Sequence, residues 1–198
     1  MKILALIGSP RRGSNTDILV DQILKGTEES RRSIEKLYLY DFDISACIDC
    51  RKCKRPDYTC AIRDGMAQIL PKFEEADLII FGTPLYWYGP TAKMKLLIDR
   101  LRPFIASGRL KGKRGIVVIP SEEGGSRCGP LVEMFQMTFQ YLGMHFAGSI
   151  LARGYEKKDV LNHPEELVKA YELGRSIRFR IPNSGFQNSN GVSPDSPD

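Results

Sequence analysis

The chain has 198 residues, 42% of them hydrophobic and 27% charged, a composition that suits one globular domain with a single sizeable core. Its formal charge of +5 is a mild excess. No helical segment lines basic residues along one face with interleaved aromatics, which argues against nucleic acid and leaves an anionic small molecule as the natural partner. No apolar run approaches the ~18 residues of a membrane span. The short run after Lys2 lacks the long core and cleavage site of an export signal, so the five cysteines point to a reducing, cytoplasmic compartment rather than a disulfide framework.

In chain order, Ile3-Leu4-Ala5-Leu6-Ile7 reads as a buried strand, and Gly8-Ser9-Pro10-Arg11-Arg12-Gly13-Ser14-Asn15-Thr16 leads straight from it into a helix. A helix start offers unpaired N–H groups and a positive dipole end. Ser9, Ser14, Asn15 and Thr16 add hydroxyl and amide donors, and Arg11 adds charge-assisted ones, so the loop reads as a phosphate site. The plainer alternative is an ordinary cap at Ser14 or Asn15, which would account for one residue of the nine. The pattern is neither Gly-x4-Gly-Lys-Ser/Thr nor Gly-x-Gly-x-x-Gly, which excludes a nucleotide-hydrolysing loop and a dinucleotide fingerprint at this position.

A second strand is expected at Ile34 to Leu39. Four cysteines then crowd into fourteen residues as C-x2-C-x2-C-x6-C, at Cys47, Cys50, Cys53 and Cys60. A turn brings every third residue to one side, so these thiolates can converge on one centre. The close run is of cluster type, whereas structural zinc more often uses two separated C-x2-C pairs. Zinc and a metal-free loop stay open as alternatives. Arg51, Lys52, Lys54 and Arg55 flank the cysteines, to favour thiolates, to attract an acidic redox partner, or simply as a solvated loop.

Met66, Ile69, Leu70 and Phe73 repeat with helical period, with Pro71 expected to kink or split that helix. Leu78-Ile79-Ile80-Phe81 is the third strand. Gly82-Thr83-Pro84-Leu85-Tyr86-Trp87-Tyr88-Gly89-Pro90 follows it, and three consecutive aromatics in such a loop suit stacking on a planar heterocycle or a dimer interface. A helix at Met94, Leu97, Ile98 and Leu101 precedes the strand Ile116-Val117-Val118-Ile119. The loop Pro120-Ser121-Glu122-Glu123-Gly124-Gly125-Ser126 has paired glycines that permit a backbone other residues resist. Glu122 and Glu123 read as solvated or interfacial, and Cys128 as a lone thiol. Leu131, Met134, Phe135, Thr138, Phe139 and Leu142 form a further helical stripe, Gly148-Ser149-Ile150-Leu151 a weaker strand, and Pro164 to Arg178 a last helix. His145 and His163 are too few and too separated for a hydrolase or metal site. From Pro182 the chain is Asn, Ser, Gly, Pro and Asp, the composition of a disordered tail over 182–198.

Alternation of continuous apolar strands with amphipathic helices implies an α/β doubly wound parallel sheet. Five strands in the order 2-1-3-4-5, in three layers, fit this length, with ligands bound beyond the carboxyl ends of the strands. Residues 1–181 form the domain and 41–62 a cysteine-rich insertion.

Gly8-Ser9-Pro10-Arg11 with Ser14-Asn15-Thr16, Gly82-Thr83-Pro84-Leu85-Tyr86-Trp87, and Lys95 through Asp99-Arg100 together resemble the NAD(P)H-dependent FMN reductase family, over roughly residues 2 to 152. The resemblance implies a flavodoxin-like fold and an FMN phosphate held by Ser9, Arg11, Ser14, Asn15 and Thr16. The isoalloxazine ring would lie against Pro84, Leu85, Tyr86, Trp87 and Gly89, with Ser121, Gly124 and Gly125 in reach. The cysteine spacing is similar to the iron–sulfur flavoprotein branch, which implies a [4Fe–4S] cluster on Cys47, Cys50, Cys53 and Cys60. The implied activity is flavin-centred, with no catalytic side chain. NAD(P)H reduces FMN, and a quinone, free flavin or nitroaromatic takes the electrons. The alternative is a carrier fed by a ferredoxin-like protein, and a flavin-free interaction module would leave the phosphate loop unexplained. A homodimer or dimer of dimers, without membrane or nucleic-acid partners, completes the expectation.

Overall fold

In the computed structural model, which describes residues 1–27 and 32–177, the apolar runs become one parallel sheet. Its strands are β1 (Lys2–Ile7), β2 (Ser33–Tyr38), β3 (Leu78–Gly82), β4 (Arg114–Ser121) and β5 (His145–Arg153), ordered β2-β1-β3-β4-β5 as expected. Successive side chains alternate between faces, so a strand covered on both must be apolar throughout. On one face Leu4, Leu6, Ile79, Phe81, Val117 and Ile119 meet α2 (Met66–Glu75), α3 (Ala92–Asp99), α4 (Arg102–Ser107) and α5 (Gly129–Tyr141). On the other, Ile3, Ala5, Ile7, Ile80, Ile116 and Val118 meet α1 (Asn15–Gly26) and α6 (Pro164–Ser176). The edge strand β2 lacks a neighbour on one side and keeps its first residues exposed.

Two local expectations are corrected. Pro71 does not split α2, which runs unbroken from Met66 to Glu75. Pro71 lies on the exposed side of α2, and Met66, Ile69 and Phe73 bury the opposite face, so core packing outweighs the missing backbone donor. The helix expected to reach Leu101 stops at Asp99, because Arg100 turns its side chain inward, and the short α4 begins immediately after. The tail expected over 182–198 lies outside the described residues. No helix among the described residues is long and apolar enough to cross a membrane.

The cysteine insertion leaves the fold after the turn Leu39–Asp41 and returns at Met66. Its base is closed by Gly65 N–H to the Asp43 carbonyl (2.7 Å) and Ser45 N–H to Asp64 Oδ2 (2.9 Å). Arg100, 1% exposed, ties both sides of this base to the end of α3. Its Nη1 donates to the Ser45 carbonyl (2.8 Å) and Asp64 Oδ2 (2.7 Å), and Nη2 to Asp64 Oδ1 (3.1 Å) and the Ile62 carbonyl (3.4 Å). Burial pushes the Asp64 carboxyl up, but Arg100 and the N–H groups of Ser45 and Met66 outweigh it and hold the group below the usual carboxylate range.

Helices α1 and α6 touch through glycine. A Cβ on Gly174 would stand 2.1 Å from the Ile23 carbonyl oxygen, and one on Gly26 2.1 Å from that of Tyr171. Gly174→Ala should therefore destabilise by about 1–3 kcal/mol, as overpacking does. A lower urea midpoint with an unchanged m-value is the expected reading, and an unchanged midpoint would contradict the packing. Asp64→Asn breaks a buried pair and should cost on the order of 3 kcal/mol at pH 7. A carboxylate with a depressed folded pKa gives stability that is present above its ordinary value of about 4 and lost as pH falls through the folded value. Chemical denaturation from pH 6 to pH 2 should accordingly show a shallower acid loss for the Asn variant than for the wild type, and parallel curves would contradict the assignment.

Candidate functional site

The carboxyl ends of β1, β3, β4 and β5 surround one cleft of about 770 Å³. The chain leaves β1 under tight constraint. Gly8 N–H donates to the Gly82 carbonyl (2.7 Å), and the Gly8 carbonyl accepts from the Thr91 hydroxyl (2.6 Å). A Cβ on Gly8 would meet Met94 Cβ at 3.0 Å and the Gly82 oxygen at 3.3 Å. Gly13 then takes φ +60°, a left-handed turn that glycine adopts without strain, and its N–H donates to Asp17 Oδ2 (2.7 Å). Asp17 is buried and neutralised by an ion pair with Lys36 and a hydrogen bond from the Tyr38 hydroxyl (3.2 Å). Its charge therefore does not cancel the positive end of α1.

That helix end is open. Ser14 stands at the N-cap without capping through its side chain, its hydroxyl accepting instead from Lys158 N–H (3.3 Å). Among the described residues the N–H groups of residues 14–17 find no acceptor, so the opening turn of α1 presents its donors to the cleft. Ser9, Ser14 and Thr16 are buried at its floor. Arg11 lies at the rim, its Nη1 donating to the Tyr155 carbonyl (3.1 Å). Asn15 departs from the expected pattern. Its Nδ2 donates to the Glu156 carbonyl (2.8 Å) and its Oδ1 accepts from Val160 N–H (3.2 Å), so its side chain fastens the segment after β5 and only its backbone N–H is left to a ligand.

The opposite wall is Pro84, Leu85, Tyr86 and Trp87. Thr83 N–H to the Val118 carbonyl (2.9 Å) and Leu85 N–H to the Pro120 carbonyl (3.2 Å) fix it to β4. Tyr86 and Gly89 then pair with each other through both backbone groups (2.9 Å each) around Trp87 (φ 51°) and Tyr88 (φ 62°). This is the mirror-image two-residue turn, normally built from Asn and Gly. Bulky residues in the left-handed region cost about 1–2 kcal/mol each. Here they hold three aromatic rings in the open, Trp87 at 97% exposure. Backbone strain of this kind clusters at functional sites.

Ser121 lines the cleft and donates to the Gly124 carbonyl (2.6 Å), which also accepts from the Cys128 thiol (3.3 Å). Gly124 thus stands behind Ser121, Gly125 packs beside Leu151, and Gly89 closes the aromatic turn. None of these three glycines lines the cleft itself. Pro120 and Glu122, outside the expected set and the latter read as solvated or interfacial, flank Ser121 in the cleft, and two further lining residues, Gly154 and Tyr155, had no counterpart in the sequence reading. They follow β5 at the same sheet edge, and a Cβ on Gly154 would stand 2.9 Å from Asn15 Nδ2. A Gly-Tyr pair directly after the last strand was the available signal.

The four insertion cysteines, all unpaired, line a second and smaller cavity against the corner between α3 and α4. Cys53 is buried, Cys47 and Cys60 are half-buried, and Cys50 is exposed. Burial pushes the Cys53 thiol up, reinforced by neighbouring Cys60 and Cys47 and opposed by Arg102. Arg100, Arg102 and Arg51 contribute cationic groups to the same cavity, Arg102 also pairing with Asp49 (2.7 Å). A tetrahedral zinc with bonds of about 2.3 Å would draw sulfurs to within about 3.8 Å of one another. Among the described residues no three His, Cys, Asp or Glu side chains are grouped to hold a single ion in this way.

Residues 1–157 match the family model described as NADPH-dependent FMN reductase. The chain is 39% identical over 127 residues to an iron-sulfur flavoprotein of Methanocaldococcus jannaschii, spanning 63% of this chain and 65% of that one. An iron-sulfur flavoprotein of Archaeoglobus fulgidus is 36% identical over 177 residues, 89% of this chain and 79% of its own. The solved NAD(P)H:quinone oxidoreductase from Methanothermobacter marburgensis superposes with a TM-score of 0.71 at 19% identity, covering 90% of this chain and 96% of its own, a likeness of fold. On the match of the family model over most of its length, the chain belongs to the NADPH-dependent FMN reductase family.

Proposed function

We propose that the protein is an FMN-dependent oxidoreductase that takes electrons from NAD(P)H. The observation that carries this reading is the open start of α1 facing an aromatic turn across one cleft. The donors fit a phosphate dianion. The N–H groups of residues 14–17, the hydroxyls of Ser9, Ser14 and Thr16, and the guanidinium of Arg11 at the rim converge where a helix dipole favours negative charge. Asn15 contributes its backbone N–H while its side chain secures Tyr155 and its neighbours. Pro84, Leu85, Tyr86 and Trp87 offer the flat wall for a ring, Gly89 secures their turn, and Ser121, with Gly124 behind it and Gly125 beside Leu151, bounds the far end.

When bound, FMN supplies hydride acceptance and the release of electrons singly or in pairs; the protein's part is to hold and tune it. The α1 donors would hold the phosphate, and Pro84, Leu85, Tyr86 and Trp87 would pack against the ring, in a cleft that a nicotinamide and then an acceptor such as a quinone would share. The exposed Trp87 and Tyr88 also offer aromatic surface to a homodimer or dimer of dimers in which a second copy would shelter the ring.

For the insertion we propose a [4Fe–4S] cluster on Cys47, Cys50, Cys53 and Cys60. The four thiols line one cavity, with the guanidinium groups of Arg100 and Arg102 on its wall, which supports four thiolates there. The tip of the insertion makes only local backbone bonds (Lys54 to Arg51, Arg55 to Lys52, Tyr58 to Arg55). A second reading, an electron carrier fed by an acidic ferredoxin-like protein, is favoured by the exposed Arg51, Lys52, Lys54 and Arg55 beside the cysteines.

Anaerobic purification should yield yellow-brown protein with one FMN and four irons per chain, bleached rapidly by NADPH or NADH. Bleaching by reduced ferredoxin alone would replace the first reading with the second, and protein without iron or sulfide would end the cluster proposal. Thr16→Val keeps the side chain's shape but removes one hydrogen bond to a charged group, worth about 1.5–3 kcal/mol. FMN affinity should fall at least about tenfold by fluorescence titration. Unchanged affinity would remove Thr16 from the phosphate site.

A further inference from the structure

Arg100 ties down both ends of the cysteine insertion and still has a donor to spare. Its Nη1 and Nη2 serve Ser45, Ile62 and Asp64, but its Nε–H has no acceptor. Among the described residues it is the one buried side-chain nitrogen or oxygen left in that condition. A buried donor without a partner costs about 1–3 kcal/mol, so such an atom calls for an explanation. Cys60 stands beside this guanidinium, and both line the cavity that the four cysteines share.

We propose that Arg100 is a positioning residue for the cysteine centre, its Nε–H donating to the Cys60 sulfur once that sulfur carries negative charge. This rests on the reading of the four cysteines as cluster ligands. A neutral thiol is a poor acceptor and a metal-bound thiolate a good one, so the unused donor acquires a partner when the centre is loaded. A hydrogen bond to a ligand sulfur stabilises the more electron-rich, reduced state and raises the reduction potential. Arginine suits the task because its planar fork can hold Asp64 along one edge while Nε points elsewhere. Lysine cannot do both. Arg102 is the natural comparison, since it reaches the same cavity but is more exposed and already paired with Asp49.

The test is a potentiometric titration of anaerobically reconstituted protein followed by electron paramagnetic resonance. Arg100→Lys keeps a cation beside Asp64 and removes Nε. It should retain iron, while at a fixed potential its ratio of reduced to oxidised cluster falls about tenfold, which for one electron is about 59 mV. Arg102→Lys should move the ratio less than threefold. An iron-loaded Arg100→Lys protein with the wild-type potential would overturn the proposal and leave the cluster reading standing. Wild-type protein that takes up no iron would instead end the cluster reading and this inference with it. Should Arg100→Lys fail to fold, arginine labelled with nitrogen-15 can be placed in the Arg51→Lys, Arg102→Lys protein. A nitrogen-15 coupling to the reduced cluster supports the hydrogen bond, and its absence overturns it. A role confined to holding the loop would move neither the potential nor the coupling.

Discussion

The site depends on how the backbone leaves β1. In this strand order β1 and β3 are neighbours, and Gly8 must pass so close to the end of β3 that its N–H bonds the Gly82 carbonyl while Thr91 grips its own carbonyl. No side chain fits at Gly8 without pushing on Met94 or on the β3 backbone. That contact delivers the loop and the start of α1 to the same edge as the aromatic turn. Without it the donors of α1 and the rings of Tyr86 and Trp87 would not share a cleft. Much of the remaining loop chemistry secures this meeting: Asn15 fastens the segment after β5, and Leu85 and Gly154 are bound to the end of β4.

The same physical theme recurs at the two candidate sites. Each recess presents hydrogen-bond donors, one from a helix dipole and unpaired N–H groups, the other from the guanidinium groups of Arg100 and Arg102, which are themselves paired with Asp64 and Asp49. Both suit anionic groups, a phosphate in the first and thiolates in the second. Near each lies a buried carboxylate that is already engaged. Asp17 is held by Lys36 and Tyr38, and Asp64 by Arg100 and the backbone of Ser45 and Met66.

Much of this was legible in the residues. A parallel sheet buried on both faces forces continuous apolar strands, and those runs marked β1, β3 and β4 directly. The rule that ligands sit beyond the carboxyl ends of strands then brings Ser9, Thr16, Trp87 and Ser121 together from the sequence alone. What was not legible is tertiary. Pro71 is tolerated because the opposite face of its helix is buried, which a local rule does not register. Asn15 looked like a phosphate donor by type, yet its partners lie at Glu156 and Val160, far along the chain. Gly124 and Gly125 were expected in reach of the ring from the family resemblance, yet neither lines the cleft, and Gly124 serves as support for Ser121. Arg100 stood out only as the end of the family-like run from Lys95, and its part as the clasp of the insertion was not legible, since nothing in a helical stripe tells which residue will turn inward at its end.

The central claim is that the start of α1 holds the phosphate of a flavin. The direct measurement compares FMN with riboflavin, which carries the same ring without the phosphate, by fluorescence quenching on the apoprotein. Two or more charge-assisted bonds at about 1.5–3 kcal/mol each predict FMN binding at least about a hundredfold tighter, with the advantage shrinking as salt is raised. Equal affinity for the two flavins, or no quenching of FMN in excess, would contradict the account.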